Sequence, residues 1–394
     1  MPLCSLEEAL DDLRAGKFLI VVDNERRENE GDLVMPAEKV TPEAVNFMVK
    51  HARGLLCMPI IGERLDELGL PLLTSNCPDQ HGTAFTMSVD YRKGTTTGIS
   101  AYDRAATIRA MIDSNAGAED FTRPGHLFPL RYNPEGVLAR PGHTEAIVDL
   151  CRMAGFYPAG VVCEVLNDDG TMARLPDLEV FAQRHGLRIL SIDQIIYHRL
   201  RHEKFIEGVA EARLPTKYGK FKVHAYKSPL VPGEHLALTI GQRGPEEPLL
   251  VRLQRECLSG DVFGSLHCNC GEQTRAALEI LAREGKGIFI YVRQGGHECS
   301  WGNKVHPHSP QGNGLGNLET TQSPDLKLDL RRYALCTQIL RDLGVRKLRL
   351  LTNHPAQDAG LSGLGLEVID WVPLTLLSEE KTGLVTMEGR RPGN

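Results

Sequence analysis

Residues 18–32 read FLIVVDNERRENEGD. Phe18 to Val22 form an unbroken apolar run with the length and branched composition of a strand buried on both faces. The ten residues that follow hold five acids and two arginines, Arg26 and Arg27. Working backwards, Ser5 and Glu8 have capping-box spacing, Leu6, Ala9, Leu10 and Leu13 recur at helical spacing, and Gly16 stops the helix before the strand begins. Working forwards, Thr41-Pro42-Glu43 opens a second helix, with Thr as N-cap and Pro at the first helical position. Strand-like runs at 54–60, 160–166 and 187–192 then alternate with helical segments at 144–154 and 177–185. This alternation predicts an α/β domain with a mixed sheet over residues 1–203, with residues 18–22 as a central strand.

The polar stretch 198–220 reads as a linker leading into the first strand of a second α/β domain, 204–394. Strands are expected there at 249–253, 287–292, 348–352 and 366–372, and helices at 274–284 and 330–343. Residues 295–324 are rich in Gly, His, Pro and Ser, a long loop of the kind that is functional or disordered. The last residues, RRPGN, read as a frayed tail.

Forty-five basic against fifty-one acidic side chains leave a formal charge of −6, which argues against a nucleic-acid binder. No apolar run reaches the roughly 18 residues of a membrane span, and the acidic, amphipathic N-terminus lacks a signal peptide's features. With no export signal, the ten cysteines are expected to be reduced, most of them buried, in a cytoplasmic protein.

The acidic run Asp23 to Asp32 is either a solvated loop or a site. Its place at the C-terminal end of a strand favours a site. So does its mixture of oxygen ligands for Mg²⁺ with arginines for a phosphorylated substrate. Two Arg-Pro-Gly-His tetrapeptides, Arg123–His126 and Arg140–His143, read as matched turns. The second leads into a helix capped by Thr144, where a phosphate fits the helix N-terminus with Arg140 closing over it.

The blocks DNERRENEGD, GTTTGISAYDRAATIRAM, RPGHLFPL, RPGHTEAIVDLCRMAG and VVCEVLNDDGTMAR, in that order over residues 5–200, closely resemble the 3,4-dihydroxy-2-butanone 4-phosphate synthases of riboflavin biosynthesis. The resemblance implies a lyase, dependent on Mg²⁺ (or Mn²⁺), that converts D-ribulose 5-phosphate to formate and 3,4-dihydroxy-2-butanone 4-phosphate. It implies Glu28 and His143 as Mg²⁺ ligands. It further implies Arg27, Glu28, Asp32, Arg140, Pro141, Gly142, His143, Thr144 and Glu164 as substrate-binding residues, and His126 and Glu164 as catalytic residues. Glu30, Cys57, Thr95 and Asp103 are further candidates, with Cys57 equally readable as a buried inert thiol. The family also suggests a homodimer through the first domain, with sites shared between subunits.

In the second domain Cys257, Cys268 and Cys270 are spaced C-x₁₀-C-x-C. Clustered thiolates of this kind suit Zn²⁺, either with an open fourth position or closed by His267 or His297. From about Arg213 to Leu374, through RLPTKYGKFKVHAY, the cysteine segment, DLRRYALCTQILRDLGVRKLRLLTN and GLEVIDWVPL, the chain resembles GTP cyclohydrolase II. The resemblance implies Zn²⁺ on the three cysteines and catalysis by Asp329 and Arg331. It implies nucleotide contacts from Arg252, Glu256, Gln273 and Thr352, and zinc-assisted attack of water on GTP.

One segment departs from that family. Its pattern RQEGRGIGLLNKLRAYALQ is here RQGGHECSWGNKVHPHSPQ, residues 293–311. Gly295 replaces a glutamate, His297 an arginine and His308 a tyrosine; farther on, Asn317 replaces a threonine and Gln357 a lysine. His does not replace a bidentate Arg contact at neutral pH. Three outcomes follow for the second domain: impaired or non-catalytic, an altered nucleotide reaction, or full activity in a bifunctional enzyme. A zinc-stabilised interaction or regulatory module is a further alternative, separable by nucleotide binding.

Overall fold

The computed structural model describes residues 3–25, 27–74, 82–242, 247–266, 268–293, 326–353, 361 and 364–374, with backbone alone at 326–330. The chain divides into two compact units, Met1–His202 and Glu203–Asn394. Among the described residues no helix is long and apolar enough to cross a membrane.

The first unit runs α1 (Leu6–Arg14), β1 (Leu19–Val22), β2 (Gly31–Pro36), α2 (Pro42–Phe47), β3 (Cys57–Ile60), α3 (Gly62–Glu67), β4 (Val89–Tyr91), α4 (Ala101–Ile112), β5 (Phe121–Arg131), α5 (His143–Ala154), β6 (Gly160–Glu164), α6 (Leu175–His185), β7 (Arg188–Ser191) and α7 (Ile192–His202). Local chemistry starts the helices as expected. Ser5 and Glu8 form both halves of a capping box on α1, and Thr41 accepts from Ala44 N ahead of α2, with Pro42 in the first turn. The seven strands form one mixed sheet in the order β4-β5-β3-β6-β2-β1-β7, with β1–β7 and β3–β5 parallel. One large apolar core, including Ile20, Leu33, Met58, Ile108, Val161 and Ile189, packs on this sheet.

Three expectations change here. β1 is fully buried but lies one strand from the sheet edge, between β2 and β7. Burial on both faces follows from helix packing, so an apolar run does not by itself report a central position. The two Arg-Pro-Gly-His tetrapeptides are not matched turns: Arg123–His126 lies within β5, and Arg140–His143 leads into α5. Two prolines inside β5 disguise it as non-strand, since Pro lacks a ladder donor. Finally, α5 begins at His143 with Gly142 at its N-cap, so Thr144 stands inside the first turn rather than capping it.

The second unit runs β8 (Glu207–Pro215), β9 (Lys220–Lys227), β10 (Glu234–Ile240), β11 (Leu249–Arg255), α8 (Leu258–Asp261), α9 (Cys270–Glu284), β12 (Gly287–Val292), α10 (Leu326–Asp342), β13 (Lys347–Leu351) and β14 (Glu367–Val372). Its sheet order is β14-β13-β11-β12-β10-β9-β8. Strands β12, β11, β13 and β14 are mutually parallel, and β12, β10, β9 and β8 pair antiparallel. Residues 198–220 are therefore not a linker: they hold the end of α7 and the edge strand β8. All nine residues of β8 are exposed. A strand with no buried face carries no alternating apolar signal, which explains its polar sequence. The expected long loop, 295–324, and the tail RRPGN lie outside the described residues.

Candidate functional site

β1 ends at Val22 and the chain enters the acidic loop. Asp23 anchors it: the buried carboxylate accepts from Glu28 N (2.9 Å), Glu30 N (2.8 Å) and Arg27 Nη1 (3.1 Å). From the other side Arg174 donates to the carbonyls of Glu28 (2.8 Å) and Asn29. Asn29 adopts φ 56°, a left-handed conformation that Asn tolerates, and the chain reverses into β2. A loop pinned by a buried carboxylate and an arginine is not a solvated charge run.

Antiparallel pairing of β2 with β6 sets Asp32 opposite Glu164. Helix α5 then delivers His143, whose Nδ1 lies 3.7 Å from Glu28 Oε2 and 3.9 Å from Asp32 Oδ1. Glu164 Oε2 accepts from Leu55 N at 2.8 Å. A Cβ on Gly54 would sit 2.5 Å from the Glu164 backbone and side-chain oxygens, so only glycine lets the chain pass so closely.

The electrostatics are strained in one direction. Burial raises the Glu28 carboxyl, but hydrogen bonding to His143 and the Arg27 charge outweigh it and hold the group at about 2. Burial lifts Asp32 to about 7, opposed by His143 and reinforced by Glu164, Glu28 and Glu30. Burial alone would lower His143, yet Asp32 and Glu28 raise it to about 9. Four carboxylates thus crowd one imidazole and demand a proton or a cation. His143 Nε2 is buried without a hydrogen-bond partner. Leaving such an atom unsatisfied costs about 1–3 kcal/mol, which a ligand on that nitrogen would remove. The Glu28 and Asp32 oxygens, with the His143 Nδ1 they face, are a donor set that fits Mg²⁺ or Mn²⁺.

Beside this group are two arginines. Arg140 donates to Glu145 Oε2 (2.7 Å) and Thr83 Oγ1 (2.8 Å). A Cβ on Gly142 would lie 2.5 Å from Arg140 Nη1 and 3.0 Å from Arg27 Nη2. Both guanidiniums therefore flank the N-terminus of α5, where Thr144 is buried. Backbone donors, a helix dipole and two planar cations together suit a phosphate.

The remaining candidates fall elsewhere. His126 stands on an exposed part of β5, its Nδ1 2.7 Å from Asp90 Oδ2, and no contact joins it to Glu28, Asp32, His143 or Glu164 within one chain. Asp103 accepts from Thr96 N and Oγ1 and from Gly98 N, and Thr95 donates to the Tyr91 carbonyl. Both organise the 95–98 loop. Cys57 is buried, and burial pushes its thiol far above the ordinary value, against a reactive thiolate. Asp23, Glu145 and Arg174 lie within the family-like blocks and Asp90 outside them, and nothing local in the sequence marks any of the four as an anchor.

In the second unit Cys257 precedes α8, Cys268 lies in the following loop and Cys270 opens α9. Their three Sγ atoms lie within 4.8 Å of one another, with Cys257 and Cys268 3.7 Å apart. A Cβ on Gly260 would sit 2.8 Å from Cys268 Sγ, and one on Gly271 would sit 2.2 Å from the Gly260 carbonyl. The two cysteine-bearing segments meet only because both positions are glycine. Burial and the neighbouring thiols push Cys270 up to about 12, while hydrogen bonds lower Cys257 against burial. Three facing sulfurs fit a thiophilic cation such as Zn²⁺.

Arg252 joins the C-terminal ends of the parallel strands, donating to Leu351 O (3.0 Å), Gln254 Oε1 (2.8 Å) and Gln273 Oε1 (2.8 Å). Thr352 is buried next to Leu351, and Glu256 faces Arg293 at 3.5 Å. Arg331 lies on α10. His267, Gly295, His297, His308, Asn317, Gln357 and the Asp329 side chain lie outside the described residues.

Comparisons with known proteins follow the same division. Residues 7–198 match the family model of 3,4-dihydroxy-2-butanone 4-phosphate synthase, and residues 207–373 that of GTP cyclohydrolase II. The chain is 52% identical over 377 residues to riboflavin biosynthesis protein RibBA of Aquifex aeolicus (strain VF5), covering 94% of this chain and 92% of that protein. It is 47% identical to RibBA of Bacillus mycoides (strain KBAB4), covering 95% and 94%. Among solved structures it resembles RibBX, a two domain 3,4-dihydroxy-2-butanone 4-phosphate synthase from A. baumannii. That match has TM-score 0.74 and 37% identity and covers 94% of this chain and 99% of that one.

Proposed function

Since this chain belongs to the riboflavin biosynthesis family that joins a 3,4-dihydroxy-2-butanone 4-phosphate synthase to a GTP cyclohydrolase II, we propose that its first unit converts D-ribulose 5-phosphate to 3,4-dihydroxy-2-butanone 4-phosphate and formate in the cytoplasm. The observation that carries this reading is the meeting of Glu28 and Asp32 at His143 Nδ1, with Glu164 paired opposite Asp32, beside two arginines at a helix N-terminus. Arg140 and Arg27 hold the phosphate with the first turn of α5. Glu28 and His143 would hold the divalent cation, which would supply positive charge to offset the anionic character that develops on enolisation. Glu164 handles the substrate's carbon-bound protons, its carboxylate oriented by Leu55 N–H. Formate release from ribulose 5-phosphate that requires Mg²⁺ and stops with chelator is the direct test. No formate under saturating substrate and Mg²⁺ would refute the assignment.

The reading includes a homodimer in which His126 serves the site of the other copy. Its support is that His126 and Asp90 stand apart from the carboxylate group within one chain. Chains carrying His126→Ala or Glu28→Ala should each be inactive. Mixed and re-associated in equal amounts, they should regain about a quarter of wild-type activity, since half the dimers then hold one intact site. No recovery, with exchange of subunits verified, would place both residues in the same chain's site.

For the second unit we propose one Zn²⁺ on Cys257, Cys268 and Cys270, supplying Lewis-acid activation of water when bound, with weak GTP hydrolysis because of the substitutions at 295, 297, 308, 317 and 357. The solved relative of similar length described as a two domain synthase is compatible with this. Full bifunctionality is the second reading, favoured by the cyclohydrolase family match and the RibBA relatives. Metal analysis should find about one zinc per chain. Cys268→Ser with Cys270→Ser should lose it and lower the stability of the second unit, with formate release from ribulose 5-phosphate unchanged. Zinc-free wild-type protein, prepared without chelator, would remove the site.

A further inference from the structure

Between β5 and α5 the chain crosses residues 133–142, a segment whose only regular structure is the 3₁₀ turn Gly136–Leu138. This segment delivers Arg140 and the N-terminus of α5. We propose that the buried pair Asp149–Arg199, with Tyr132, is a positioning device for that segment and sets where Arg140 meets the substrate phosphate. The proposal rests on the reading of Arg140 as a phosphate ligand.

The hydrogen bonds of the group reach the segment and its flanks. Asp149, on α5 with a side chain 2% exposed, accepts at Oδ2 from Arg199 Nη1 (2.7 Å) and from Val137 N (3.0 Å). Its Oδ1 accepts from Tyr132 Oη at 2.7 Å. Arg199, on α7, reaches on to donate to the Glu135 carbonyl at 3.0 Å. Gly136 sits at φ +60, and a Cβ there would lie 2.4 Å from both Asp149 oxygens and from Arg199 Nη1. The turn is therefore folded directly onto the ion pair. The Gly136 carbonyl in turn accepts from Ala139 N and Arg140 N, each at 3.0 Å. One residue thus links the pair to the backbone of Arg140.

A buried ion pair is a poor way to stabilise a fold, because desolvation cancels most of its attraction and an apolar pair of similar volume is often as stable. What an ion pair hydrogen-bonded to Val137 N, Tyr132 Oη and the Glu135 carbonyl does better is hold one geometry. Here that geometry joins the end of β5, the turn, α5 and α7. Arg199 lies in a stretch that reads from sequence as linker, so its place in this group comes from the tertiary structure.

The test uses the full chain with ribulose 5-phosphate and Mg²⁺. Asp149→Leu combined with Arg199→Met replaces the pair by apolar side chains. It should melt within a few degrees of wild type, while KM for ribulose 5-phosphate rises about ten- to hundredfold and kcat falls much less. Arg199→Lys keeps the charge but not the fork and should give an intermediate rise. A folded double variant with wild-type KM would overturn the proposal. If the double variant does not fold, Tyr132→Phe and Arg199→Lys decide: wild-type KM in both overturns it, and a raised KM at unchanged melting temperature supports it. Arg140→Ala in the same assay separates the premise, because an unchanged KM there would refute the phosphate reading itself.

Discussion

Glu28→Ala and His143→Ala each reduce Mg²⁺-dependent formate release by about a thousandfold or more, because a cation stabilising developing charge contributes several kcal/mol and about 1.4 kcal/mol is a factor of ten. The Glu28 carboxylate and the His143 imidazole face each other at 3.7 Å within a group of carboxylates that Arg27 neutralises only in part. Glu28→Ala removes one negative charge from that crowd, so the fold should survive it. His143→Ala removes the compensating imidazole and should lower the melting temperature modestly. A second readout keeps chemistry and folding apart. Mg²⁺ should raise the melting temperature of wild type by binding the native state alone, and this rise should vanish in both variants. The chain shortened to end after Lys204 should keep the activity, since the proposed site residues precede that point. Full activity in either alanine variant would sink the ligand assignment.

On the reading of a weakened second unit, the unmodified chain should convert GTP at least about a hundredfold more slowly than a related enzyme with the family residues. Gly295, His297, Asn317 and Gln357 each replace a residue that contacts the nucleotide in the family, and losing one hydrogen bond to a charged group costs about 1.5–3 kcal/mol. Two such losses, if additive, reach a hundredfold or more, roughly 1.4 kcal/mol being a factor of ten. Restoring Glu, Arg, Tyr, Thr and Lys at 295, 297, 308, 317 and 357 together should recover turnover, because the cysteine group and the Arg252–Gln273 contacts stand ready. Mass identification of the product distinguishes impaired from altered chemistry. Robust turnover at micromolar GTP would establish the plain bifunctional enzyme instead.

How much of this is legible without coordinates depends on the range of the interaction. The caps at Ser5 and Thr41 are local contacts within four residues, and they stand where their spacing put them. The cysteine group is nearly as local, since Cys270 opens α9, Cys268 lies two residues before it and Cys257 precedes the short α8 turn. The strands β2 and β5 carried weaker signals. β2 emerges directly from the acidic loop, and β5 contains two prolines.

By itself the chain's sequence determined the two α/β units, the acidic loop and the cysteine spacing, and through five ordered blocks the family of its first unit. Periodicity and capping are short-range, and a run of family motifs is unlike any chance pattern. Only the tertiary structure decided that β1 is next to the edge, that the two Arg-Pro-Gly-His tetrapeptides differ, and that His126 stands apart from His143. It alone brought Asp23, Arg174 and the Asp149–Arg199 pair to the loops they hold. Those contacts join residues from five to about a hundred and fifty positions apart. Strand order and helix packing create them, and a linear pattern carries no record of which distant carboxylate will meet which guanidinium.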